Sequence, residues 1–150
     1  MKILNTFSFI LFLTMFRVIS FAQDINVHYM IGKKQSEVIN KYGEPKHRDN
    51  SNPEMLCMFY QTKLNTMIFV ANKTGVYQSE ALKVYDSNND AMKELDACIL
   101  GSVKNGFTID SVTTSDFHLR KAGVKADLQL NENVLSKKIE IRMKASKMED

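Results

Sequence analysis

The chain has 150 residues, a formal net charge of +3, 44% hydrophobic and 25% charged residues, two Cys and no Trp. That length suits one domain, and the composition excludes wholesale disorder and collagen-like order. Most of the surplus charge is Lys2 and Arg17: beyond residue 22 there remain 18 basic and 17 acidic side chains, too even a balance to draw the chain onto nucleic acid.

In chain order, the first segment reads as targeting. Lys2 is followed by Ile3 to Phe16, dominated by Leu, Ile and Phe; Ser20-Phe21-Ala22 places small residues two apart, and Gln23-Asp24 turns polar. This is the layout of a signal peptide over residues 1–22, cleaved after Ala22. Arg17 interrupts the apolar run, which falls short of the roughly 20 residues of a spanning helix, so a retained anchor is the weaker alternative. The expectation is an exported protein, periplasmic or extracellular, with a single domain over 23–150 and no membrane span after cleavage. Export would allow a disulfide between Cys57 and Cys98, worth about 3–4 kcal/mol if its geometry closed. The alternative is two free, buried thiols acting as small hydrophobes. Two lone Cys lack metal-ligand spacing.

A first helix is expected over Lys34–Tyr42, with Ile31, Gln35, Val38, Ile39 and Tyr42 near one face, Gly43 ending it and Pro45 barring its continuation. Strands follow at Glu54–Thr62, Thr66–Ala71 and Val76–Tyr85, the last broken near Gln78-Ser79. A second helix is capped by Ser87 or Asn88, carries Met92, Leu95, Cys98, Ile99 and Val103 as its apolar stripe, and ends at Asn105-Gly106. Short strands are expected at Phe107–Val112 and Phe117–Lys121. Val124, Ala126, Leu128 and Leu130, then Ile139, Ile141, Met143 and Ala145, alternate with polar residues, as strands with one buried face do. The fold class is therefore α+β: two helix-plus-antiparallel-strands units, about 31–86 and 87–145, forming one antiparallel sheet with both helices packed on one face.

Ile31-Gly32-Lys33-Lys34-Gln35-Ser36-Glu37-Val38-Ile39-Asn40-Lys41-Tyr42-Gly43-Glu44-Pro45 runs from a Gly through a short amphipathic helix to Gly-x-Pro, then into a strand carrying Phe59 and Tyr60. This resembles the opening of the small outer-membrane assembly lipoproteins of the BamE/SmpA group and of β-lactamase-inhibitor-like (BLIP-like) proteins. The resemblance implies an exported bacterial protein of helix-plus-strands units that binds other proteins and catalyses nothing.

Catalytic and metal motifs are weak. Asp86-Ser87-Asn88-Asn89-Asp90 begins like a calcium loop, but Ala91 stands where Gly is needed and Ala97 where the bidentate Glu belongs, so a helix cap explains it better. His47 lies near Asp49 and Ser51, yet neighbours along an extended strand point to opposite faces. Asn72-Lys73-Thr74 is formally a glycosylation sequon in a turn. No cofactor is expected. The informative strands are Met55–Tyr60 and Met67–Ala71, apolar at nearly every position and hence expected to be buried on both faces. Met58, Tyr60, Met67, Phe69 and Tyr85 are expected on the side away from the helices, covered by a curled sheet, by Asp24–Met30, or by a partner protein. Phe69, Tyr77 and Tyr85 are the candidate partner-binding residues. The functional expectation is a non-enzymatic protein-binding or assembly module of the cell envelope; the alternative is a small-ligand or catalytic domain with a pocket between sheet and helices.

Overall fold

A computed structural model describes residues 24–148. The residues of the expected signal segment lie outside this range. The chain enters through a 3₁₀ turn at Val27–Met30 and helix α1 at Gln35–Tyr42, then forms strands β1 (His47–Asp49), β2 (Leu56–Gln61), β3 (Asn65–Asn72) and β4 (Gly75–Tyr85). Helix α2 (Asn88–Lys104) leads to β5 (Thr108–Thr113), β6 (Asp116–Lys121), β7 (Val124–Glu132) and β8 (Ile139–Lys147). All eight strands share one antiparallel sheet in the order β1-β2-β3-β4-β8-β7-β6-β5. Two meanders thus meet at β4 and β8, and short turns suffice within each because antiparallel neighbours need no crossover.

Local chemistry sets the boundaries. The Glu37 carboxylate accepts the Lys34 backbone N–H at 2.8 Å, relieving an unpaired donor at the start of α1. Gly43 stops the helix at φ +80°, a conformation that a Cβ disfavours. The Ser87 side chain caps α2 by accepting from the Asp90 N–H. Gly75 is required sterically: a Cβ there would lie 2.9 Å from the Lys33 carbonyl oxygen, where the N-terminal segment meets β4.

Cross-strand register sorts the side chains into two sets. Met58, Phe69, Ser79, Ala145, Ala126 and Leu119 form one row across six strands, and Tyr60, Met67, Ala81, Met143, Leu128 and Phe117 form the next. Nearly all of these are buried, and we call them the buried set. Their core partners are Ile25, Val27 and Met30 of the N-terminal segment, Val38 and Tyr42 of α1, and Ala91, Leu95 and Cys98 of α2. The remaining residues of the same strands, the open set, are half-buried or exposed.

This arrangement corrects several expectations. In β3 burial is full at every second residue only, although Thr66, Ile68 and Val70 stand between buried neighbours. The apolar run therefore does not mean burial on both faces, and Met58, Tyr60, Met67 and Phe69 belong to the core. Asp24–Met30 does lie over the sheet: Ser79 Oγ donates to the Val27 carbonyl at 3.1 Å. On α2 the buried stripe is Ala91, Leu95, Cys98 and Ser102, while Val103 is 53% exposed. Met92 and Ile99 of the expected stripe do pack against the core, and Ser102, which meets the buried His28 at 3.0 Å, takes the inward place expected of Val103. Strand β4 is unbroken, and His47–Asp49 forms a separate, fully exposed edge strand.

Candidate functional site

The open set changes character across the sheet. On β2–β4 it is apolar: Phe59 pairs with Ile68, Cys57 pairs with Val70, and Leu82 stands opposite Thr66. His47 on the edge strand brings its ring to 5.7 Å from that of Phe59. Phe59, Ile68, Val70 and Leu82 are half-buried, yet they do not pack against the core among the described residues. They cover one another instead, as cross-strand apolar pairs do.

From β4 onward the row containing Phe59 and Ile68 turns ionic: Glu80, Lys144, Asp127, His118 and Asp110 face one another on successive strands. Glu80 holds Arg142 at 3.7 Å and Lys144 at 3.9 Å, and His118 Nδ1 lies 2.6 Å from Asp127. Each such exposed pair contributes only a few tenths of a kcal/mol up to about 1 kcal/mol.

A β-bulge shapes the junction. Val76 pairs with Ala71 and Gln78 pairs with Val70, so Tyr77 is the extra residue on β4. Bulges redirect side chains, and Tyr77 lines an open depression of about 580 Å³ with Asn72, Gln78, Ser146 and Met148. A second depression of about 300 Å³, lined by Gln78, Lys125, Asp127, Lys144 and Ser146, adjoins it across the Gln78–Ser146 pair. The second depression is lined largely by open-set residues, and the first shares Gln78 and Ser146 with it.

The expected site residues therefore separate. Tyr77 stands half-buried in the first depression, next in the chain to Gln78, which pairs with Val70 of the patch. Phe69 has no exposed surface and packs 5.3 Å from the Tyr42 ring and 5.8 Å from the Tyr60 ring, so it is a core residue. Tyr85 is half-buried, packs against the core, and has Lys83 Nζ 5.2 Å from its ring centroid; burial pushes its phenol up. Cys57 and Cys98 are both free, and no bridge joins them. Cys57 is in the open set, whereas Cys98 packs into the core from α2, where burial pushes its thiol up to about 12. Among the described residues no group of His, Cys, Asp and Glu could hold a metal ion, and no helix is long and apolar enough to cross a membrane. Phe59, Ile68, Val70 and Leu82 were missing from the expected site because an unbroken apolar run hides which alternate residues face the core.

No family model and no curated protein matches the chain. Similar solved structures include an extracellular protein containing a SCP domain from Bacillus anthracis str. Ames, at 14% identity and TM-score 0.43, covering 81% of this chain and 46% of that one. Another is a cysteine-rich secretory protein from Staphylococcus aureus subsp. aureus Mu50, at 11% identity and TM-score 0.42, covering 77% of this chain and 44% of that one. The chain spans under half the length of each. These neighbours correct the expected kinship with the BamE/SmpA group and the β-lactamase-inhibitor-like proteins. The run from Gly32 to Pro45 is accounted for by local helix-stop chemistry, which any fold can use.

Proposed function

We propose that this is an exported, non-enzymatic protein-binding module that recognises its partner through the open side of β2–β4. The observation that carries the reading is the patch of Phe59, Ile68, Val70 and Leu82, which no core element among the described residues covers. Contiguous apolar surface of this kind marks interaction sites more often than it serves a free monomer. Tyr77, on its bulge, is the aromatic anchor, since tyrosines are enriched among binding hot spots. The charged row from Glu80 to Asp110 supplies a polar border.

The architecture supporting this reading is two helix-plus-strands units with both helices on one face. Tyr42 of α1 meets Tyr60 and Phe69, and Glu94 of α2 meets Lys83 at 3.3 Å. Tyr60, Phe69 and Lys83 belong to the same alternate set, so the described helices lie opposite the side offered to a partner. Export rests on the segment Met1–Ala22. No cofactor is invoked, because recognition by an apolar patch needs none.

The test is affinity capture from the envelope and medium fractions of the native cell with the wild-type chain and with Phe59→Asp and Tyr77→Ala. Loss of the same partner by both variants, with unchanged circular dichroism, is the expected result. Capture that is indifferent to both would remove the open side from the binding site.

A further inference from the structure

The N-terminal segment is held by a histidine whose surroundings favour its neutral form. Ile25, Val27 and His28 are at most 1% exposed. Ser102 Oγ donates its single proton to the Cys98 carbonyl at 2.8 Å. At 3.0 Å from the same oxygen, His28 Nε2 must therefore be the donor, which fixes the tautomer. That leaves Nδ1 as a buried lone pair with no partner among the described residues. A second ring proton would sit on Nδ1 and meet no acceptor, in a site too dry to solvate the charge.

The groups around His28 give such a charge little help. On its own segment stand Tyr29, with ring centroids 4.1 Å apart, and Asp24. Lys41 reaches in from α1 and holds Asp24 at 3.1 Å, so the nearest carboxylate is already paired. From α2 come Ser102 and the Cys98 backbone, and beyond that helix the Phe107 ring lies edge-on at 5.0 Å. Asp24 favours the imidazolium, but burial, the largest influence, and Lys41 oppose it.

We propose that residues 24–31 are an acid-released strap: protonation of His28 detaches this segment from α2 and uncovers the part of the buried set around Ser79. The strap is suited to local opening. It is a single 3₁₀ turn hydrogen-bonded to β4 by the Ser79 hydroxyl and, at its end, by the Gly32 N–H to the Val76 carbonyl at 2.7 Å; Asp24 is paired with Lys41 of α1, and Ile25, Val27, Met30 and Ile31 reach into the core. Lying outside the strand ladder, the segment can open as a unit of its own, at the cost of withdrawing those four side chains. Seated, His28 titrates at about 4; released, it returns to 6.5. The contribution of His28 to seating is therefore fully present above pH 6.5 and is lost as the pH falls toward 4. The opening equilibrium rises roughly 50-fold between pH 7 and pH 4.5. This device is independent of the proposed binding surface.

The experiment is amide hydrogen exchange at pH 7 and pH 4.5, each normalised to the intrinsic rate, on the wild type and on His28→Gln. Glutamine keeps a side-chain donor for Ser102 and cannot titrate. In the wild type, exchange at Val27, Ile31 and Gly32 should rise roughly 50-fold while β3 and β4 amides stay nearly constant, and His28→Gln should abolish the rise. Equal rises in the two proteins, or strap and sheet amides rising together, would overturn the proposal. Should the variant fail to fold, proton NMR of the wild-type His28 ring decides. No ring titration above pH 5 while the strap amides are protected upholds the proposal. A midpoint near 6.5 with the strap still protected overturns it.

Discussion

Strands β2–β4 and strands β6–β8 bury comparable side chains on one side and differ on the other. In β7 and β8 the open residues are Lys125, Asp127, Gln129, Arg142 and Lys144, and the alternation is plain. In β2 and β3 they are Cys57, Phe59, Ile68 and Val70, so apolar residues stand on both sides. One sheet thus carries a conventional solvated surface at one end and an apolar surface at the other. Folding needs only the first pattern, so the second is the part of the sequence that folding does not explain. The surplus is a pair of cross-strand rows, not a scatter of single exposed residues, which need no explanation.

Substitutions on the two sides of the same strands should diverge most sharply. Phe69→Ala removes a fully buried ring and should cost about 3–5 kcal/mol in urea unfolding. Phe59→Ala, on the facing strand but the opposite side, should cost about 1 kcal/mol or less. Equal losses would mean that the open side is a second core. Acid comes next. Because burial lowers His28 from 6.5 to about 4, its contribution is fully present above pH 6.5 and is lost as the pH falls toward 4. Of the stability lost over that interval, about 3 kcal/mol should disappear from the pH dependence in His28→Gln, as read by urea titrations at matched pH. Ser87→Ala unties the cap of α2 and should cost about 1 kcal/mol, measured the same way. Smallest is Lys144→Ala in the ionic row, where an exposed pair at 3.9 Å should change stability by less than about 0.5 kcal/mol.

Much of the fold was legible because its signals were local. Gly43 and Asn105-Gly106 ended helices where expected, Ser87 capped the second one, and β7 and β8 announced their buried side by alternation. Three features escaped for physical reasons. An apolar residue on an open surface is indistinguishable in sequence from one in a core, so Phe69 was placed on the surface and Phe59 was overlooked. The burial of Ser102 in place of Val103 goes with a contact to His28, 74 residues apart, which no helical period encodes. Tyr77 owes its position to a bulge, a one-residue slip set by pairing with β3. The site is therefore less legible than the fold: of the three residues expected to bind a partner, Phe69 and Tyr85 pack into or against the core, and Tyr77 stands on the bulge.

Cys57 offers the most direct probe of the central claim, since it sits in the apolar patch while Cys98 is sealed in the core. The measurement is mass-spectrometric counting of alkylated thiols on the folded chain, alone and with its captured partner. The account predicts one modified thiol in the free protein, Cys57, and its protection in the complex. Unchanged modification of Cys57 in the complex would contradict a partner seated on the open side of β2–β4.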